Sequence, residues 1–95
     1  MSDTLVNYLT VPQSVSAGTP LNVEGSQDMW YQVVGTFTAT VNIEGSLNGT
    51  DWVQLAAAVA PGTITQIATK VKYLRADVAA YTSGSAEVFI LTYTP

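Results

Sequence analysis

The chain has no cysteine and no histidine. The first absence removes disulfides, thiolate nucleophiles and zinc–sulfur sites. The second removes the side chain most used as a general base, which is also the commonest transition-metal ligand. Basic residues are scarce: three Lys and Arg stand against seven Asp and Glu in 95 residues, for a net charge of −4. Charge-driven nucleic-acid binding needs Lys and Arg to neutralise phosphates, so no nucleic-acid partner is expected. Charged residues make up only 11% of the chain, where ordinary globular proteins carry about a quarter. Surface polarity must therefore come from Thr, Ser, Asn and Gln. Long apolar runs are also missing. The longest, residues 55–60, stops at Pro61 and falls far short of the ~20 residues of a spanning helix. The opening Met1-Ser2-Asp3-Thr4 has neither a basic stretch nor an apolar one, so neither a signal peptide nor a membrane partner is expected.

What is present reads as β structure throughout. Apolar residues reach 47%, which argues against intrinsic disorder. Thr, Val, Ile and aromatic residues dominate, and Gly, Pro, Asn and Ser interrupt them at short intervals. The clearest strand is 36–44. Phe37, Ala39, Val41 and Ile43 fall on one face, with Thr36, Thr38, Thr40, Asn42 and Glu44 on the other. A period of two marks a sheet with one dry and one wet face. Further strands are expected at 20–24, 30–34, 51–57, 63–68, 73–80 and 86–93, each bounded by a turn signal such as Asn48-Gly49 or Pro61-Gly62. The Ala-rich stretch 55–60 is too short to nucleate a helix and reads as a strand end. Short strands at this spacing predict an all-β protein: a small antiparallel β-sandwich of jelly-roll or Greek-key type, with about seven or eight strands.

The domain division follows from the N-terminus. Val6, Tyr8, Leu9 and Val11 are apolar, but Pro12, Ser14, Ser16 and Gly18 break any long strand. Residues 1–18 therefore read as an arm that docks along a sheet edge, its own or a neighbour's, ahead of one sandwich domain at 19–95. A frayed terminus with one edge strand is the plainer alternative.

The segment 41–55 sets a register. A two-residue Asn48-Gly49 turn would pair Ile43 with Gln54 and drive Gln54 into the core. A three-residue loop, Leu47-Asn48-Gly49, pairs Ile43 with Val53 and Val41 with Leu55, so the apolar pattern selects it. Phe37, Val41, Ile43, Val53 and Leu55 would then share one core. Gly49 would take the left-handed position. Trp52 would lie opposite Glu44 on the wet face, covered by its own hairpin, by the arm or by a partner. Glu44 and Asp51 are too few carboxylates for calcium, and a hairpin surface offers no glycosidase cleft. Neither a metal nor a cofactor is expected.

Two more groups remain as contact candidates. Lys70, Lys72 and Arg75 form the basic patch, either a plain exposed row with an Arg75–Asp77 ion pair or a surface for an acidic partner. The strand 86–93 is apolar on both faces from Val88 to Leu91, so it is either central or part of a subunit interface. Tyr81 and Tyr93 offer contact area with a polar tip.

The strand 36–44, then Gly45-Ser46-Leu47-Asn48-Gly49-Thr50-Asp51-Trp52, then Val71-Lys72-Tyr73-Leu74-Arg75-Ala76-Asp77-Val78 and Tyr81-Thr82-Ser83-Gly84-Ser85 form a recognisable series. It resembles small β-sandwich virion proteins of tailed bacteriophages, among capsid decoration (cement) proteins and tail accessory proteins. It is distantly similar to the discoidin-type jelly roll, whose Gly-Ser-x-Asp/Asn-Gly-x-x-Trp hairpin is followed by a Tyr-Leu/Ile-Arg strand. Discoidin domains are longer and usually carry cysteines, so their carbohydrate or lipid specificity does not transfer. The resemblance implies a non-enzymatic virion protein made in the bacterial host cytoplasm. Such a protein would bind the major capsid protein on the outer capsid surface, stabilise the capsid and form a homo-oligomer. Its contact candidates are Val6, Tyr8, Leu9 and Val11 in the arm, the aromatics Trp52 and Tyr81, and Lys70, Lys72 and Arg75. The alternative is a carbohydrate-binding adhesin of a tail or fibre, in which Trp30, Tyr31, Trp52 and Tyr81 would stack on sugar rings.

Overall fold

Eight strands succeed one another along the chain: β1 Asp3–Leu9, β2 Leu21–Asn22, β3 Asp28–Val34, β4 Phe37–Ser46, β5 Val53–Ala56, β6 Ile64–Ile67, β7 Tyr73–Gly84 and β8 Glu87–Thr94. The structure, a computed structural model, describes residues 3–62 and 64–94. Met1 and Ser2 of the expected arm, and Thr63, the first residue of the expected strand 63–68, lie outside these. No helix occurs among the described residues.

The strands form two four-stranded sheets. Sheet A has the order β1-β8-β3-β6 and sheet B the order β2-β7-β4-β5. All pairings are antiparallel. This interleaved order is that of an eight-stranded jelly roll, a double-sheet architecture built from two Greek keys. The chain crosses between sheets at every connection except β4–β5, which is the one hairpin within a sheet. The small all-β sandwich read from the turn spacing is therefore the observed fold.

Alternation along the strands fills the space between the sheets. Met29 and Val33 of β3, with Val88 and Ile90 of β8, point inward from sheet A. Val41 and Ile43 of β4, with Leu74, Ala76 and Val78 of β7, meet them from sheet B. Phe37 and Leu55 pack against this core from its margin.

The β4–β5 register differs from the expected one. Ile43 lies opposite Ala56, Glu44 opposite Gln54 and Gly45 opposite Val53, with a bulge between Ile43 and Glu44. Val53 is 65% exposed and not in the core. The cause is the turn chemistry. Buried Ser46 accepts the Asn48 and Gly49 N–H groups on its Oγ, at 3.2 and 2.9 Å. Asn48 Oδ1 accepts the Thr50 and Asp51 N–H groups at 2.9 Å each, and Asn48 Nδ2 donates to Asp51 at 2.9 Å. Side chains thus satisfy the backbone of a longer loop, residues 47–52, in place of a short hairpin turn. Gly49 does adopt the left-handed conformation, with φ 78°. Past the bulge, Val59 N–H donates to Val41 O at 2.9 Å, and Val59 is buried beside Val41, where Leu55 was expected.

Residues 3–18 join both sheets. β1 pairs with β8 over its whole length, from Asp3 opposite Thr94 to Leu9 opposite Val88. Pro12 lies beyond the strand and does not shorten it. The chain then turns to the edge of sheet B. Val78 N–H donates to Ser16 O at 2.9 Å, and Gly18 N–H donates to Ala76 O at 2.7 Å. There Gly18 passes so close to Thr10 that a Cβ would overlap the Thr10 carbonyl oxygen.

Candidate functional site

The two outer faces of the sandwich differ in chemistry. The outer face of sheet B carries Asn42 and Glu44 from β4 and Tyr73, Arg75 and Asp77 from β7. Arg75 Nε donates to Glu44 Oε1 at 2.7 Å, with both side chains largely covered. The Arg75 guanidinium sits 4.2 Å from the centroid of the Trp52 ring. A charge-assisted hydrogen bond and a cation–π contact thus share one guanidinium. The expected Arg75–Asp77 ion pair is replaced by this cross-strand pair, because Glu44 lies directly opposite Arg75 in the β4–β7 register. Lys72 lies 4.0 Å from Glu24 and 5.4 Å from the Tyr73 ring centroid. Two of the three basic side chains are therefore matched within the chain, and Lys70 is exposed. Glu44 is thus held by Arg75 of β7, and Asp51 by Asn48 within the β4–β5 loop.

The outer face of sheet A is apolar. Cross-strand partners share a face, so the pairing gives its rows directly. Tyr8, Phe89, Gln32 and Ile64 form one row, and Val6, Leu91, Trp30 and Gln66 the next. Six of these eight side chains are aliphatic or aromatic, and none is charged. Val6, Tyr8 and Ile64 are 62%, 69% and 66% exposed. A dent of about 180 Å³ opens between Val6, Trp30, Ile64, Phe89 and Leu91. The acids sit at the ends of the strands: Asp28 in the row of Tyr93, and Glu87 opposite Val34. The arrangement is an uncharged, aromatic-rich centre with charges at its margin, the distribution found in protein–protein contact surfaces.

The contact candidates scatter over the molecule. Val6 and Tyr8 lie on the apolar face. Leu9 is 2% exposed and turned into the chain's own core, so it is corrected to a core residue: its parity on β1 is opposite to that of Tyr8. Val11 is half-buried against the core. Trp52 and Arg75 belong to the opposite face. Tyr81 packs at the core margin, and its hydroxyl donates to Gly84 O at 2.8 Å. The sequence reading did not group Trp30, Ile64, Phe89 and Leu91 with the arm. The two-sided apolar character of residues 88–91 was the one signal pointing there. A second concavity, of about 370 Å³, lies at the β4–β5 loop between Leu47, Val53, Leu55, Lys70 and Val71.

No family model matches the chain, and no curated protein matches it in sequence. Solved structures do match it in fold. The SPBc2 prophage-derived protein YomS superposes with a TM-score of 0.78 at 9% identity, over 99% of this chain and 96% of that one. The PBSX exported protein XepA gives a TM-score of 0.76 at 15% identity, over 98% of this chain and 38% of that one. The chain thus shares its whole fold with YomS and spans under half the length of XepA. At these identities the likeness is one of fold.

Proposed function

We propose that this chain is a non-enzymatic bacteriophage virion protein that works through protein–protein contacts. Its finer role is that of a capsid decoration protein, docked on the outer surface formed by the major capsid protein. The observation that carries the reading is the uncharged apolar face of sheet A, on a fold shared end to end with a prophage-derived protein. An apolar surface of this kind is a liability on a free monomer and an asset in an assembly. The chemistry of the chain agrees. With no Cys or His, and with Glu44 and Asp51 occupied in local hydrogen bonds, catalysis has few groups to use.

The adhesin reading loses support from geometry. Trp30 lies on the outer face of sheet A, Trp52 under Arg75 on the outer face of sheet B, and Tyr31 and Tyr81 pack against the core. These four aromatics form no common platform for a sugar. A second reading, an exported phage protein outside the particle, follows from the likeness in fold to the exported protein XepA.

Quantitative mass spectrometry of purified particles from the encoding phage, split into capsid and tail fractions, tests the proposal. The chain is expected in the capsid fraction, at many copies per particle. Recovery with tails would move its place within the virion. Recovery only in the particle-free medium would overturn the virion assignment in favour of the exported reading.

A further inference from the structure

The two sides on which the sandwich could open are closed differently. On one side the sheet edges are β1 and β2, and residues 16–18 seal it by pairing with β7. On the other the edges are β5 and β6. Val59 plugs that side beside Val41, but at the Gly45 end it stays open. There the hollow of about 370 Å³ between Leu47, Val53, Leu55, Lys70 and Val71 runs past Lys70 into a second of about 510 Å³, beside Glu24 and Lys72. We propose that this groove binds an extended segment of a partner protein. The segment puts a bulky apolar side chain into the first hollow and carboxylates beside Lys70, while its main chain pairs with the free edge of β5.

The apolar anchor follows from the lining. Leu47 and Val53 are 72% and 65% exposed, and they flank a hollow larger than the ~150 Å³ that holds a benzene ring. The carboxylates follow from charge. The whole chain has three basic residues. Arg75 is taken up by Glu44 and Trp52 on the outer face of sheet B. The other two stand at the groove: Lys72 has Glu24 at 4.0 Å, and Lys70 has no acidic partner among the described residues. Asp51 also lines the hollow, but its carboxylate accepts the Asn48 amide. A lone cation beside an apolar hollow, on a chain of net −4, selects acidic segments and sets their register. The extended main chain follows from the sheet edge. β5 pairs only with β4, and among the described residues no backbone bond reaches its other side. Such an edge is a template for an added strand. Four residues offer only about two outward-facing N–H and C=O pairs, so the ladder is short and the anchor and the charge must supply the rest. A small amphiphile would use the hollow and Lys70 and leave the edge bare.

This groove lies apart from the outer face of sheet A, so the two readings fail separately. The probe is a capped heptapeptide, Thr-Asp-Thr-Leu-Thr-Asp-Thr. As a strand it presents Leu and both Asp residues on one side, and it reads alike in either strand direction. Titrated into the isotope-labelled full chain and followed by amide NMR, it should give saturable shifts centred on residues 45–56 and 69–72, with a Kd below about 1 mM. Lys70→Glu and Val53→Asp, both at exposed positions, should each weaken binding about tenfold by setting like charges together. Val6→Asp, on the sheet A face, should leave it unchanged. The rearranged peptide Thr-Thr-Asp-Leu-Asp-Thr-Thr keeps the composition but turns its carboxylates to the other side of the strand, and should bind about tenfold more weakly. The amide spectrum of each variant reports that its fold is intact. No saturation by the first peptide, shifts outside the groove, equal binding of the two peptides or indifference to Lys70→Glu each overturns the inference. Octanoate binding there as tightly as the first peptide overturns it in favour of a small amphiphile. If the peptide fails while Val6→Asp still abolishes attachment to particles, only the groove reading falls. If the peptide binds as described and Val6→Asp leaves attachment intact, the groove reading stands and the sheet A reading falls.

Discussion

The outward sides of β8 and β7 make an instructive pair. Both strands are central in their sheets, and both send Val, Leu, Ile or Ala inward. Outward, β7 presents Tyr73, Arg75 and Asp77, while β8 presents Phe89, Leu91 and Tyr93. On β7 the charge is answered locally: Arg75 meets Glu44 across the strand pair and covers Trp52. That face is finished within one chain. On β8 the apolar residues meet more apolar residues from β1, β3 and β6, and nothing among the described residues lies over them. One sheet answers its charges within the chain, and the other presents an uncharged apolar surface to solvent.

The largest effects should separate inside from outside on β8 itself. Ile90→Ala removes a fully buried side chain and should cost ~2–5 kcal/mol in denaturant unfolding. Its neighbour Leu91→Ala, on the outward side, should cost the isolated fold under ~1 kcal/mol and show its effect in the assembly mass. Equal losses for the two would mean that the outer face is already covered within the chain.

Next comes the stitch between the sheets. Gly18→Ala would press a methyl group against the Thr10 carbonyl, and backbone cannot yield as a side-chain tip would. A loss of ~1–3 kcal/mol is expected, typical of overpacking. A neutral substitution would show that residues 10–18 detach from the two sheets at little cost.

Sheet B's face should respond in stability and not in assembly. Glu44→Ala leaves Arg75 without its acceptor and should cost ~1–2 kcal/mol, between an exposed pair and a buried one. Trp52 fluorescence should shift as the guanidinium moves, and the native mass should not change. A change in mass would make sheet B part of the interface and erase the contrast between the two faces.

The smallest effect is expected just past the end of β5. Ala58 has φ 49°, a left-handed conformation that costs an L-residue ~1–2 kcal/mol. Its N–H donates to Asn42 Oδ1 at 2.9 Å on the sheet B face. Ala58→Gly relieves the strain but loosens the unfolded chain by ~0.4–1 kcal/mol. The net should be a stabilisation of under ~1 kcal/mol, read as a small rise in Tm. A fall in Tm would show that the Ala58 methyl group makes a packing contribution larger than the strain.

Much of this fold was legible in particular residues. The alternation at 36–44 placed Val41 and Ile43 in the core, where they are. Asn48-Gly49 and Pro61-Gly62 marked real breaks, and Gly49 is left-handed as its turn required. The β4–β5 register was not legible from apolar matching. Ser46 and Asn48 hold a longer loop through side-chain hydrogen bonds, and those depend on Ser46 being buried. Docking of the N-terminal segment along a sheet edge was legible, but whether that edge was its own or a neighbour's was not, and it was settled only by the ladder that β8 offers to β1.

The sequence by itself determined the layered all-β architecture, since period-two patterning and closely spaced turn residues act locally and need no distant partner. It also determined the charge poverty that favours association and the lack of the usual catalytic groups. Tertiary structure decided the rest. Residues 88–91 are apolar on both sides, so parity alone could not say which side enters the core. The interleaving of β8 between β1 and β3 turned Val88 and Ile90 inward and left Phe89 and Leu91 in a continuous surface with Val6, Tyr8, Trp30 and Ile64. That surface is assembled from four segments spread between residues 6 and 91. Such a patch exists only once long-range pairing has brought the strands side by side.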